Sequence, residues 1–163
     1  MEEIIDFGDG VIMRPATRED IRTVDRNLRE LDRKECEVAH DFDSVPEDYP
    51  EGIWAILHNG THVGYGGFLC VNGDSAMSRR RCFFFLSTTY VWKIKKTFVK
   101  YTPKVFSAMA NRMPSYVDTI IVAPIKEYIG SIKWLERVLG FKAYGEATIL
   151  GSIFVLMSKN KER

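Results

Sequence analysis

The sequence lacks most of the features that would take it outside the ordinary globular proteins. Its three cysteines, Cys36, Cys70 and Cys82, are odd in number and widely spaced, with no CxxC and no histidine at metal-ligand spacing. A disulfide framework and a zinc site of the usual pattern are thereby excluded, and reduced thiols in or near a core are expected. No apolar run reaches the roughly 18 residues that a membrane helix needs, and the acidic N-terminal stretch does not read as a signal peptide. Neither sign of charge dominates: the net charge is +1, which gives no global attraction to nucleic acid or to an anionic membrane. Repeats and low-complexity segments are absent. These gaps point to a soluble protein of the cytoplasm with no metal, no membrane contact and no nucleic-acid partner.

What is present suits one domain over residues 1–163, with 45% hydrophobic and 12% aromatic residues, enough for a core that needs no staples. The most informative stretch runs from Val117 to Glu146. Thr119 to Ala123 is a β-branched apolar run stopped by Pro124, as a strand buried on both faces reads. Ile132, Leu135, Val138 and Leu139 recur at helical spacing, and Gly140 follows where a left-handed cap would sit. Phe141 then begins another extended run.

The remaining elements fall around this unit. Met1 to Gly10 reads as a weakly structured lead-in and Val11 to Pro15 as a short strand. Thr17 and Asp20 form a variant of the capping box before a helix marked by Ile21, Val24, Leu28 and Leu31. A second helical segment runs from Asp32 to about His40, and Phe42 to Gly52 is a loop. Ile53 to Leu57 and His62 to Val71 are strands joined at Asn59-Gly60, and Asn72-Gly73 is a second turn of that kind. Gly64, Gly66 and Gly67 inside the second strand mark a bulge or a close backbone approach. Cys82 to Leu86 is the buried centre of a third strand. Lys93 to Met113 is helical in pattern, but Pro103 would break it, so a basic turn followed by a helix starting at Pro103, capped by Thr102, is expected. Phe141 to Glu146 and Thr148 to Ser158 complete the chain as antiparallel strands. The order β-α-α-β-β-β-α-β-α-β-β predicts an α+β fold, a mixed and mostly antiparallel sheet between helix layers.

This order, with Met13-Arg14-Pro15-Ala16-Thr17-Arg18-Glu19-Asp20 at the front and Ser131 to Phe141 ending in Leu-Gly-Phe, resembles the GNAT family of acyl-CoA-dependent N-acyltransferases over nearly the whole chain. The chain is also similar to the GNAT-like proteins of tailed bacteriophages, including the internal virion or virion-assembly protein of short-tailed coliphages. That likeness rests on Cys82-Phe83-Phe84-Phe85, Val91-Trp92 before a lysine-rich helix, Tyr116-Val117-Asp118-Thr119 and Asp32-Arg33-Lys34-Glu35-Cys36.

The resemblance implies acetyl-CoA or another acyl-CoA as cofactor and an amine, free or on a protein, as acceptor. Such transfer needs N–H donors at a helix N-terminus for the pyrophosphate, a splayed strand for the thioester oxyanion, and proton transfer at the amine and the thiolate. In the family's diphosphate-loop position this chain has Tyr90 to Thr97 without a glycine, so Val91, Trp92, Lys93, Lys95 and Lys96 are the cofactor candidates, the lysines acting by charge; a solvated basic face explains them equally well. Ser87, Thr88 and Thr89 lie where the strand should splay, though their hydroxyls can equally satisfy strand-end backbone groups. The family's acid tyrosine aligns with Glu136 and the asparagine that often begins that helix with Ile129; Tyr128, beside Ile129, is the candidate substitute, and a packing or surface role explains it as well. Glu35, Glu37 and His40 lie on the helix expected to line the acceptor side, with Glu35 the candidate base; a charged helix face explains all three without catalysis. Cys36 has no histidine spaced to activate it, and Arg79-Arg80-Arg81 reads as a basic run that keeps an edge soluble or meets an anion. Three functions follow: an N-acetyltransferase, a GNAT scaffold without turnover serving a phage virion or its assembly, or a host-defence antagonist. Phage origin would place the protein in the host cytoplasm or the virion.

Overall fold

The computed structural model describes residues 3–39, 52–71 and 73–162, and for residues 38 and 39 the backbone only. His40, Asn72 and the expected loop before Gly52 lie outside the described residues. The elements are β1 (Ile5–Gly8), β2 (Val11–Pro15), α1 (Arg18–Arg26), α2 (Glu30–Ala39), β3 (Ile53–His58), β4 (Thr61–Leu69), β5 (Arg80–Ser87), a 3-10 turn (Thr89–Trp92), α3 (Lys95–Ala110), β6 (Thr119–Val122), α4 (Ile129–Arg137), β7 (Lys142–Ile149) and β8 (Ser152–Asn160). The strands form one eight-stranded sheet in the order β1-β2-β3-β4-β5-β6-β8-β7, antiparallel except for the parallel pair β5–β6. Ile21 and Val24 of α1 pack on one face with Tyr65, Phe84 and Leu86. Tyr101, Val105, Phe106 and Met109 of α3 and Leu135 of α4 cover the other, against Met13, Ile56 and Phe83. The expected layered α+β architecture is therefore present. Among the described residues no helix is long and apolar enough to cross a membrane.

Local chemistry accounts for most element ends. Thr17 accepts a bond from the Asp20 N–H, and the Asp20 carboxylate accepts from the Thr17 N–H, closing the capping box. Asp20 also receives both guanidinium nitrogens of Arg14 and pairs with His62, so the box ties α1 to β2 and β4. Burial works to raise the Asp20 pKa, but the bonds from Arg14, His62 and Thr17 outweigh it and hold the carboxyl well below its usual range. Gly140 has φ 79° after α4, the left-handed cap that its position predicted.

Four expectations need correction. The lead-in contains β1: Ile5 and Phe7 alternate with Asp6, and Asp9-Gly10, both at positive φ, form the hairpin turn to β2. The first helix stops at Arg26, short of Leu28, because residues 27–29 dock on the end of β5: the Arg29 N–H donates to Ser87 O and the Thr89 N–H to Asn27 O. Helix α3 starts eight residues before Pro103 and passes through it. The carbonyl that Pro103 leaves without a helical partner is that of Val99, whose side chain is exposed, while Phe98 and Tyr101 anchor the turn before it in the core. The last hairpin turns at Leu150-Gly151, both at positive φ, and not between Glu146 and Thr148.

The glycines of β4 have a steric cause. A Cβ on Gly64 would stand 2.3 Å from Leu86 O, and one on Gly66 2.6 Å from Phe84 O and 2.8 Å from the Phe85 ring. The Phe85 ring thus lies directly over the β4 backbone, and a bulge between Ile56 and Leu57 adjusts the neighbouring register. Gly66→Ala is expected to destabilise the fold by about 2 kcal/mol or more. Gly130→Ala, in α4 with open space around it, should instead stabilise by about 0.5–1 kcal/mol. Urea denaturation of both variants checks the pair of signs.

Candidate active site

The two central parallel strands pair over only three residues, Arg80↔Thr119, Arg81↔Ile120 and Cys82↔Ile121. Beyond that, β5 continues to Ser87 while β6 ends at Val122. Pro124 has no N–H to offer a ladder, and the chain after it turns to β8: the Val155 N–H donates to Pro124 O and the Lys126 N–H to Ile153 O. The strands therefore part after Cys82, five residues before the Ser87–Thr89 position that sequence indicated. Ser87 turns its N–H and C=O away from β4, to Asp32 and to the Arg29 N–H. Backbone groups alternate along an extended strand, so the N–H and C=O of Phe85 face the slot as well.

The slot opens into a cleft of about 510 Å³ that passes through the sheet layer, lined mainly by apolar groups. Phe83 and Phe85 stand on one side, with Phe98 and Trp134; Phe84 and Leu86 stand on the other, with Leu31 and Cys36. Trp134 stacks on Phe98 at 5.5 Å, and its indole N–H donates to Thr102 Oγ1, which fixes α4 against α3 and sets the width of the opening.

On the α2 side, Asp32 is buried and takes both guanidinium contacts of Arg29 (2.7 and 3.1 Å) and both the N–H and Oγ of Ser87 (3.2 and 3.0 Å). Glu35 is one turn further along the same helix and lines the cleft, accepting a 3.2 Å bond from the Ile125 N–H. Burial pushes its carboxyl up to about 7, with the Asp32 charge acting in the same direction and the Ile125 N–H opposing. A carboxyl poised there can exchange a proton at neutral pH. Burial, with the nearby carboxylates, pushes the Cys36 thiol up to about 12, which removes it as a thiolate nucleophile.

The other candidates separate. Val91 is buried and, with exposed Trp92 and Lys95, lines the cleft; the Lys95 ammonium sits 4.9 Å over the Trp92 ring and the Arg29 guanidinium 5.7 Å from it. Lys93 and Lys96 are exposed around the start of α3, where Ile94 supplies no side-chain cap and no acidic residue occupies the first turn. That end has the positive dipole and uncapped N–H groups. The Ser87 hydroxyl is committed to Asp32 and that of Thr88 to the carbonyls of His62 and Val63, so both serve the fold. Thr89 is exposed in a separate depression with Thr23, Asn27 and His62. Tyr128 precedes α4, packed with Ile125 and Phe154 under the Lys34 ammonium, and does not line the cleft. Glu37 is exposed. The three arginines at the start of β5 do not border an edge: Arg79 pairs with Asp118 and Arg80 with Asp74, while buried Arg81 donates to the carbonyls of Ala76 and Ser78.

Sequence reasoning missed Phe85, Asp32 and Trp134 as site residues. Asp32 carried a signal, being three residues from Arg29 and so able to reach it on a helix. Phe85 and Trp134 carried none, because strand divergence and helix docking decide their roles.

Glu35 gives a pH test. Its folded pKa lies above the unfolded value, so the native state holds the extra proton between about pH 4.5 and 7 and loses stability as pH rises through that window. Relative to wild type, Glu35→Gln should gain nothing at pH 4.5 and about 2–3 kcal/mol at pH 7.5. Denaturant titrations at the two pH values measure the gain, and equal differences would refute it.

No known family profile and no curated protein matches the sequence. Solved structures do match. The aminoglycoside acetyltransferase AAC(6')-Ib in complex with coenzyme A superposes with a TM-score of 0.63 at 17% identity, covering 93% of this chain and 95% of that one. yncA from Salmonella typhimurium with its cofactor acetyl-CoA matches with 0.63 at 11% identity over 94% and 95%. The ribosomal-protein-S18-alanine N-acetyltransferase from Escherichia coli matches with 0.60 at 11% identity, again over 94% and 95%. The chain has the GNAT acyl-CoA N-acyltransferase fold.

Proposed function

We propose that the protein is an N-acetyltransferase that moves an acetyl group from acetyl-CoA to an amine. The observation that carries this reading is the parting of β5 from β6 beside Glu35, which sets a strand edge and a proton acceptor around one cleft. The pantetheine arm lies along the slot, with the thioester oxygen at the Phe85 N–H, where charge develops as the amine attacks. The diphosphate sits at the start of α3, held by its free N–H groups and by Lys93, Lys95 and Lys96. No glycine occurs between Thr89 and Thr97, so charge does there what close backbone approach does in a glycine loop. Glu35 takes the proton from the amine, directly or through one water. The acceptor is a small amine or a protein amine. The fold shared with coenzyme A-bound and acetyl-CoA-bound structures supports the cofactor.

A second reading is a GNAT scaffold that binds a phage or host protein without turnover, as a virion or assembly component or a defence antagonist. The glycine-free connection and the position of Tyr128 outside the cleft are the observations that support it.

Calorimetric titration of acetyl-CoA into the purified protein separates the two. Micromolar binding, weakened about tenfold or more in Lys93→Ala/Lys95→Ala/Lys96→Ala, is the expected result. No binding at millimolar cofactor leaves the scaffold, and unchanged affinity in the triple variant refutes the diphosphate placement.

A further inference from the structure

The near-zero net charge hides a division along the chain. Residues 93–163 hold 13 Lys and Arg against 5 Asp and Glu, a balance of +8, whereas residues 1–92 hold 10 against 17, a balance of −7. The basic part supplies the helix layer of α3 and α4. Helix α3 carries four lysines and no carboxylate. Lys100 and Lys104 are exposed one turn apart, about 6 Å along the axis, and form a strip on the face opposite buried Tyr101, Val105 and Met109; Lys96, one turn earlier, belongs to the proposed diphosphate position. Lys100 shares its charge with Asp9 at 2.8 Å; the strip otherwise has one sign.

Beyond Lys104 this strip runs into a groove of about 610 Å³ between the middle of α3, the end of α4 and the start of β7. Exposed Arg137 and Lys142 border it. Lys159 is sunk into it, 15% exposed, with its ammonium donating to Leu139 O at 2.7 Å and lying 5.0 Å over the Phe106 ring. The one carboxylate among the lining residues is Glu162, 83% exposed, at 3.9 Å from the Lys159 ammonium. The groove takes Arg137 and Val138 at the C-terminal end of α4, whereas the cleft takes Gly130, Ser131, Trp134 and Leu135 before them, and the two share no lining residue. The two sites are separate.

We propose that this face binds a single-stranded nucleic acid through its phosphates, independently of acetyl transfer. Exposed cations on α3 leading into a concave groove bordered by Arg137, Lys142 and Lys159 match a phosphate chain. A flat anionic membrane would meet Lys100 and Lys104 but not the sunken Lys159. The groove presents no exposed aromatic ring, since Phe106 at its floor is 5% exposed, so binding is by charge and indifferent to base sequence.

The test is fluorescence anisotropy of the full chain with a labelled 15-nucleotide oligo-dT in 50 mM salt. Expected are micromolar affinity and a log–log salt slope of about −3, from about 0.7 per phosphate engaged. Lys104→Ala/Arg137→Ala/Lys142→Ala should lose at least about tenfold in affinity and about 2 in slope. Lys126→Ala, whose ammonium is paired with Glu146 away from the groove, should change neither. Arg137→Glu alone provides a check should the triple variant misfold, with the same sign of effect. Absent binding, equal affinity of the triple variant, displacement by coenzyme A, or polyglutamate of matched charge binding as tightly would each overturn the proposal.

Discussion

The structure depends on β5 outlasting β6. Two strands in register would satisfy each other's backbone groups to their ends and leave no opening in the sheet. Here the ladder stops at Cys82 and Ile121, and both sides of the break have other partners. After Pro124 the chain bonds to β8, and Ser87 at the far end of β5 is bonded to the start of α2. The intervening backbone of Phe85 is thus left facing a space that neither neighbour can enter. A gap of this kind in a sheet is unfavourable unless the elements around it are held independently, and the Arg29–Asp32–Ser87 network and the stacked Phe98–Trp134 pair provide that hold.

The same packing sets the chemistry. Phe83 meets Phe106 and Phe141, and Phe85 meets Phe98 and Trp134, so the α3 side of the cleft is an aromatic wall. The Phe85 ring can lie flat against β4 because Gly64 and Gly66 put no Cβ beneath it. Glu35 lies on the α2 side of this largely apolar cleft, and its burial there lets it retain its proton to higher pH than a solvated carboxyl. Asp32, three residues earlier on the same helix, lies in a different setting, surrounded by a guanidinium and two donors from Ser87. One helix thus presents a structural carboxylate and a proton-exchanging carboxyl. The charge on the outer helix layer is a separate matter, set by which residues of α3 and α4 the core leaves in water.

Much of the fold was legible because short-range chemistry dictated it. The Thr17–Asp20 box, the Asn59-Gly60 turn and the Gly140 cap each follow from backbone groups that must be satisfied or angles that other residues reach at a cost. Legibility failed where a distant partner changed the outcome. Leu28 continued the helical pattern of α1, yet the segment around it is bonded to the end of β5 instead. Pro103 read as a helix start, but core contacts on both sides of it outweigh one lost helical bond. Asp9-Gly10 is a legible hairpin signal, but the residues before it read as a weakly structured lead-in until their pairing with β2 makes them a strand.

The amino-acid sequence by itself determined the strand and helix alternation, the layered α+β architecture, and the presence of Glu35 and the lysine-rich segment on particular helices. It could do so because periodicity, capping and turn angles act over a few residues. Only the tertiary structure decided where β5 leaves β6, that the Ser87 and Thr88 hydroxyls are committed to Asp32 and to backbone carbonyls while Phe85 faces the slot, and that Glu35 reaches the cleft and Tyr128 does not. Those outcomes depend on which strand edges remain unpaired and which carboxyl loses its water, and both are properties of contacts between residues far apart in the chain.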